Sequence, residues 1–141
     1  MTVLWQAATV LREHRGDGHV AALVVEGLDG CQAHISLAAT GAVPRTVLQP
    51  NRGWTDQEWD QAERTLAQRG WLDRDGRATD EGMAGRAAVE RATDLLASDP
   101  WTRLGSEGTT ELAQALTPLT RAVLASGLIP AVNPMGLPTA L

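Results

Sequence analysis

Apolar positions recur with the period of a helix along most of the first half of the chain. Residues 2–14 carry an apolar stripe that begins after Thr2 and ends before a break at Gly16, Asp17 and Gly18. Residues 19–28 are apolar on nearly every side. This pattern predicts two helices, the second of them capped by Asp17 and buried at the centre of the fold.

Capping signals predict the helices that follow. Asp29 with Gln32 forms a capping box for a third helix that ends at Gly41. Residues 42–54 contain two prolines, an asparagine and a glycine, and are expected to form an irregular loop. Thr55 with Glu58 forms a second capping box, which opens a helix that ends at Gly70.

Short apolar segments on both sides of the turn at residues 73–76 predict a small β-hairpin. Thr79 can cap a helix that continues to about residue 97, before Asp99 and Pro100. A last helix is predicted over residues 109–126, with a kink or a break at Pro118, and an irregular tail begins at residue 127.

This order of elements is typical of a winged helix-turn-helix protein, mainly α-helical with a small β-hairpin wing. The helix over residues 55–69 would be its recognition helix, and the helix-to-wing segment is MarR-like. Residues 1–99 are predicted to form this domain. Residues 100–141 are predicted to form a C-terminal helix and tail, a dimerisation arm that acts together with the first helix.

Composition is that of a globular protein, because hydrophobic residues make up 43% and charged residues 21% of the 141 positions. The lone cysteine, Cys31, and the lack of a secretory signal pattern predict a cytoplasmic protein. The net charge of −5 is concentrated in residues 54–99, which hold eleven acidic residues and six arginines.

Several segments resemble the C-terminal half of an actinobacterial family of helix-turn-helix proteins. They are WQAATVLREHRGDGHV at residues 5–20, GLDG at 27–30, RGWT at 52–55, PW at 100–101, LIP at 128–130 and NPMGL at 133–137. The resemblance implies a helix-turn-helix fold but no settled activity and no catalytic residues. Members of that family usually have a further helical half, so a homodimer or a partner chain is expected to supply that surface here.

The acidic character of the predicted recognition helix argues against DNA binding, because affinity for a duplex depends on neutralising phosphates. Asp56 and Asp60 lie one turn apart on its outward face, and the loop before it is longer than in most DNA readers. In a DNA-binding alternative, Arg64 on the helix and Arg74 and Arg77 on the wing would contact the duplex.

All three histidines lie near the predicted glycine turn. An imidazole beside a carboxylate can transfer protons near neutral pH, and an arginine can hold an anionic group. One hypothesis is therefore a small-molecule pocket with His14 or His19 as the proton-transfer group, Asp17 orienting it, and Arg15 and His34 binding substrate. The simpler interpretation gives Asp17 a capping role and makes the others surface or packing residues.

Two tryptophans and two arginines flank the predicted loop and could bind a planar acidic ligand, although such tryptophans more often fill a core. They are Arg45, Arg52, Trp54 and Trp59. Cys31, His34, His14 and His19 do not have a recognised metal-ligand spacing, so no metal is expected. No phosphate-binding glycine loop or nucleophile elbow is present, and no cofactor is expected.

Three hypotheses follow. The first is a winged-helix protein that binds or converts a small molecule by cofactor-free acid–base chemistry, such as cyclisation, isomerisation or hydrolysis. The second is a MarR-like, ligand-responsive transcription regulator that binds DNA. The third is a structural partner of a separate helical chain, which would leave an exposed apolar face.

Overall fold

A computed structural model describes residues 2–130 and 132–136 of the chain. Six helices follow one another along the sequence: α1 (Thr2–Val25), α2 (Gly30–Ala39), α3 (Arg45–Arg52), α4 (Asp56–Gln68), α5 (Asp80–Leu96) and α6 (Asp99–Ala125). Helix α1 packs mainly on α5, and α2 packs on both α3 and α4. The end of the predicted tail, residues 137–141, lies outside the described residues.

The predicted break in the first helix is wrong, because α1 is continuous from Thr2 to Val25. Two glycines inside a helix cost roughly 1 kcal/mol each relative to alanine. At Gly18 this cost has a packing reason, since a Cβ there would lie 3.0 Å from the Cβ of Leu96 on α5. Asp17 therefore lies inside α1 and caps no helix. The prediction of a buried central helix over residues 19–28 is also wrong, because Ala22 is the single buried residue of α1.

Helices α2, α3 and α4 form the helix-turn-helix unit and hold half of the buried core residues. The capping boxes at Asp29 and at Thr55 are both present, which confirms those two predicted helix starts. Apolar side chains from all three helices meet in the interior and are at most 2% exposed, namely Ile35, Leu48, Trp59 and Leu66. Burial of a side chain of this size stabilises a fold by about 1.5–3 kcal/mol.

The predicted irregular loop over residues 42–54 is also wrong in its centre, where α3 forms. Pro44 occupies the N-cap position and Gly53 ends the helix with φ +74°. Pro50 lies inside this short helix and removes one hydrogen-bond donor. Leu48 is fully buried, and its packing offsets that loss. The connection from α3 to α4 is therefore a turn of three residues, 53–55.

The predicted β-hairpin wing does not form. Among the described residues there is no strand, and residues 71–79 contain one isolated antiparallel bridge, between Leu72 and Ala78. The Asp73 carboxylate accepts from the backbone N–H groups of Asp75 and Arg77, which closes the turn with side-chain bonds. Since only a few residues flank this turn, the segment is a tight loop and not a pair of strands. The prediction of a winged fold is therefore wrong, and the described residues form an all-helical helix-turn-helix fold.

The predicted helix after Thr79 is confirmed as α5, because the Thr79 side chain accepts from the Gly82 N–H. The last helix begins earlier than predicted, at Asp99, with Pro100 in its first turn. Its irregular point is Gly105, with φ 77° and ψ 168°, where two helical segments meet. Pro118 lies inside the second segment, so the predicted break there is wrong, and the kink there stays a prediction. Among residues 132–136, Gly136 approaches Val43 so closely that a Cβ would lie 3.3 Å from its Cγ2.

Candidate functional site

The side chains of α4 fall into three stripes along the helix. Trp59, Ala62 and Leu66 are buried and hold α4 against the rest of the helix-turn-helix unit. A second stripe is acidic and consists of Asp56, Asp60 and Glu63. A third stripe is free of carboxylates and consists of Gln57, Gln61, Arg64 and Gln68, which are all exposed. This separation follows from the spacing of three, four or seven residues within each set, which places its members on one side of the helix.

The acidic stripe lies beside Arg45 of α3. One guanidinium nitrogen of Arg45 is 3.0 Å from a carboxylate oxygen of Asp56, and the other lies 3.6 Å from Asp60 and 3.9 Å from Glu63. The same guanidinium lies over the Trp59 ring, 5.2 Å from its centroid. Arg45 therefore offsets part of the negative charge that the sequence places on α4.

Asp56 and Glu58 are held ionised by hydrogen bonds. The amide of Gln49 and the guanidinium of Arg45 both donate to Asp56 Oδ1, and these bonds lower the pKa of that carboxyl. The Glu58 carboxylate accepts from the backbone N–H and hydroxyl of Thr55, which lowers the pKa of Glu58. Both side chains are thus engaged at the start of α4 and keep its first turn in place.

The third stripe carries the side-chain chemistry that reads base edges. A glutamine amide can pair with adenine and an arginine guanidinium with guanine in the major groove. Arg64 Nη2 donates to Gln61 Oε1 over 2.8 Å, so these two side chains are already oriented relative to each other. A groove of 700 Å³ runs beside the stripe. Its lining includes Gln57, Gln61, the carboxylate of Glu58 and the start of α2 at residues 29–32.

The predicted wing arginines, Arg74 and Arg77, are exposed on the loop after α4. Arg52 is exposed at the end of α3. These three residues come from the segments directly before and after α4 along the chain. They are positioned by loops and by a helix end rather than by a sheet.

Of the histidines predicted to cluster around a glycine turn, His14 and His19 lie on the continuous helix α1 and His34 lies on α2. His14 and Asp17 are exposed on α1, and His19 is half-buried. Because the Thr93 hydroxyl donates to Val89 O, His19 Nδ1 donates to Thr93 Oγ1 over 2.9 Å. Burial lowers the pKa of His19, and the charges of Arg86 and Arg15 act in the same direction. The acid–base role of these residues stays a prediction.

The remaining predicted binding residues divide between two places. Arg15 faces α5, where its Nη2 lies 3.5 Å from Glu90 and 3.6 Å from Asp94. His34 accepts from Trp54 Nε1 over 3.0 Å, and burial lowers the pKa of His34. Trp59 is 1% exposed and donates to Glu63, so it belongs to the core. The substrate-binding role of Arg15 and His34 stays a prediction.

Cys31 is a buried thiol of the core. Its pKa is raised to about 11 by burial first and by the neighbouring carboxylates of Asp29, Glu58 and Glu63. A thiol with so high a pKa is a poor nucleophile at neutral pH. Among the described residues, no three His, Cys, Asp or Glu side chains come together as a metal site.

Sequence reasoning missed two features of this site. Gln57, Gln61 and Gln68 share the helical spacing of Arg64, a signal that was present in the sequence. The pairing of Arg45 with the acidic stripe had no such signal, because the loop prediction for residues 42–54 hid the helix that positions Arg45.

No helix among the described residues is long and apolar enough to cross a membrane. Residues 1–130 match a family of proteins described as a helix-turn-helix family. Comparison with curated proteins and with solved structures found no match. An actinobacterial origin and a MarR-like affiliation stay predictions.

Proposed function

Since the chain belongs to a helix-turn-helix family, we propose that it binds duplex DNA and that α4 is its recognition helix. The observation that carries this proposal is the stripe of Gln57, Gln61, Arg64 and Gln68, which presents amide and guanidinium groups to solvent without a carboxylate among them. Such groups discriminate bases by paired hydrogen bonds in the major groove.

Two further features support the proposal. The turn between α3 and α4 has three residues, 53–55, and contains a glycine in the left-handed region, as is common in this motif. Arg45 pairs with Asp56 and approaches Asp60 and Glu63, which reduces the repulsion that these carboxylates exert on phosphates. The argument from a long loop before the recognition helix therefore no longer applies.

Fluorescence anisotropy with a labelled pool of mixed duplexes, followed by selection of the bound sequences, tests the proposal. We expect binding that weakens steeply as salt rises, because counterions are released from the phosphates. Arg64→Ala should weaken binding to the selected site by about 1–3 kcal/mol and relax its sequence preference at one position. Arg45→Gln should weaken binding to all sequences, because it leaves the acidic stripe unpaired.

Arg121→Ala on α6 is the matched control, since it removes the same charge from an exposed position far along the chain from α4. It should change binding less than Arg64→Ala. Absence of binding to any duplex at low salt would contradict the proposal. Equal losses for Arg64→Ala and Arg121→Ala would show a non-specific charge effect and remove α4 from the mechanism.

We also propose that a second copy of the chain covers its exposed apolar helices. No residue of α6 is buried. Its apolar side chains Leu104, Leu119 and Val123 are 46%, 48% and 40% exposed, and Val10 of α1 is 67% exposed. The two helical segments of α6, which meet at Gly105, contain no buried residue and gain little from their own chain. Large exposed apolar faces mark interfaces. A homodimer would present two α4 helices to two half-sites.

Sedimentation equilibrium of the purified chain tests the dimer. We expect a dimer for the natural sequence and a monomer for the double variant Val10→Glu, Val123→Glu, with helical content retained. Leu95→Glu is the matched control, because Leu95 is 74% exposed and lies on α5, outside both α1 and α6. A natural chain that sediments as a monomer at micromolar concentration would contradict the proposal.

A further inference from the structure

A cleft lies where α5 turns into α6, on the side that faces α1. It has a volume of 460 Å³ and is lined by Arg15, Asp94, Ala97, Ser98, Trp101 and Thr102. Arg15 comes from α1, Asp94 from α5, and Trp101 and Thr102 from the first turn of α6. Three helices therefore contribute to one small cleft that has no part in the α4 surface.

The packing of α1 on α5 shapes this cleft. Gly18 allows the close approach of α1 to Leu96, as described above. Helix α5 ends at Leu96, and α6 begins only three residues later, at Asp99. The chain thus changes direction beside Arg15, and Trp101, which is 41% exposed, forms part of the cleft lining.

Arg15 has donor groups that are not used within the described part of the protein. Its Nη2 faces both Glu90 and Asp94, at 3.5 Å and 3.6 Å, which are long distances for ion pairs. Its Nε and Nη1 have no hydrogen-bond partner among the described residues. Each of these two nitrogens can donate a hydrogen bond to a carboxylate oxygen.

The other polar atoms of the cleft are acceptors. The Ser98 hydroxyl donates to Leu95 O over 2.7 Å, and the Thr102 hydroxyl donates to Ser98 O over 3.1 Å. Each hydroxyl oxygen is therefore left with lone pairs to accept a hydrogen bond. The Asp94 carboxylate adds further acceptors with a negative charge. Together they suit an ammonium group, which has three donors.

We propose that this cleft binds a free amino acid with an apolar or aromatic side chain. The carboxylate of the ligand pairs with Arg15, its ammonium group pairs with Asp94 and the two hydroxyl oxygens, and its side chain lies against Trp101 and Ala97. The two charged lining residues carry opposite charges, which favours a zwitterion over a ligand with a net charge. This binding is independent of the DNA-binding proposal.

Three probes of similar size separate the contributions of the two charges. Isothermal titration without DNA compares L-phenylalanine, phenylacetate, which lacks the ammonium group, and phenethylamine, which lacks the carboxylate. We expect phenylalanine to bind about tenfold more tightly than either of the other two, because each of them lacks one of the two charged groups that the cleft would pair.

Two variants assign the charges to residues. Arg15→Gln should weaken binding of phenylalanine and phenylacetate about tenfold and leave phenethylamine unchanged. Asp94→Asn should weaken binding of phenylalanine and phenethylamine and leave phenylacetate unchanged. Arg12→Gln is the matched control on α1, because Arg12 pairs with Glu13 and does not line the cleft. Unchanged circular dichroism shows that each variant is folded.

Absence of phenylalanine binding at millimolar concentration would overturn the proposal. Equal affinity for the three probes would also overturn it, since the charges would then have no role. So would an Arg12→Gln loss equal to that of Arg15→Gln. Because no DNA is present, these results stand whether or not α4 binds a duplex.

Discussion

The helix-turn-helix unit and the two long outer helices bury their apolar residues to very different degrees. In the unit, Leu48 and Leu66 are fully buried, and Ile35 and Trp59 are at most 2% exposed. In α6 no residue is buried, and in α1 only Ala22 is. The unit therefore has a core of its own, whereas the long helices obtain most of their burial from elsewhere, in our proposal from a second copy.

The two regions also differ in how their helices are defined. Helices α2 and α4 each begin at a complete capping box, and both lie in the unit. Helix α6 begins at Ser98 without a side-chain cap hydrogen bond, and Gly105 interrupts its backbone geometry. In the helix-turn-helix unit, the local capping hydrogen bonds and the buried side chains thus favour the same helices. Such consistency between local and tertiary interactions favours a single folded structure.

The largest effect is expected from a cavity in the unit. Leu66→Ala removes a fully buried side chain from α4 and should lower the free energy of unfolding by about 2–5 kcal/mol. Urea unfolding followed by circular dichroism measures it. Leu95→Ala on α5 is the control, because Leu95 is 74% exposed. If the two substitutions had equal effects, α4 would not be packed as described.

An intermediate effect is expected where the unit is joined to α1. Arg69, after the end of α4, donates to the backbone oxygens of Glu26 and Gly27 and stacks over Trp71 at 4.8 Å. Arg69→Ala should lower the free energy of unfolding by about 1.5–3 kcal/mol, because it removes charge-assisted hydrogen bonds to the end of α1.

The control for this joint is Arg64→Ala on the same helix. Arg64 is exposed and donates to the exposed Gln61, so its loss should change the free energy of unfolding by less than about 0.5 kcal/mol. A similar small change for Arg69→Ala would show that the carbonyl oxygens at the end of α1 are satisfied equally well by water.

The smallest effect is a dependence of stability on pH at the contact of α1 with α5. Burial, with Arg86 and Arg15, lowers the folded-state pKa of His19 below its ordinary value of 6.5, and Glu90 partly opposes this. Between about pH 7 and pH 5 the unfolded chain therefore binds more protons at His19 than the folded chain does. The contribution of His19 to stability is complete above the unfolded pKa and is lost as the pH falls below it.

Thermal unfolding of His19→Gln between these pH values measures this contribution. The variant should lose less stability on acidification than the natural chain does. The loss of stability due to His34, whose pKa is also lowered in the folded protein, should remain. His14→Gln is the control, because His14 is exposed on the same helix. A steeper decline for His19→Gln would show that His19 is charged in the folded protein.

Much of the fold could be predicted from local signals. The starts of α2, α4 and α5 follow from capping residues whose hydrogen bonds involve neighbours three positions away. The wing could not be predicted in the same way. Its turn sequence was recognised, but a hairpin also requires strands that pair, and a single bridge between Leu72 and Ala78 forms.

The candidate site was predicted less well than the fold. The roles predicted for Arg64 in DNA binding and for Arg45 in ligand binding stay predictions, but the pairing of Arg45 with the acidic stripe of α4 was not foreseen. The number of charged residues on α4 could be read from the sequence, but the pairing of its carboxylates with Arg45 could not. Which carboxylates face an arginine depends on the packing of α3 beside α4, since Arg45 is eleven residues away from Asp56 in the sequence.

The sequence by itself determined the helical class, the capped helix starts and the excess of negative charge in the middle of the chain, because composition and short-range hydrogen bonds are local properties. The tertiary structure alone decided that α1 continues through Gly16 and Gly18, and that α3 forms despite Pro50. It also decided that Arg15 lines a cleft with Trp101. Each of these outcomes depends on packing between residues that are distant in sequence, and such packing can outweigh a local preference of about 1 kcal/mol.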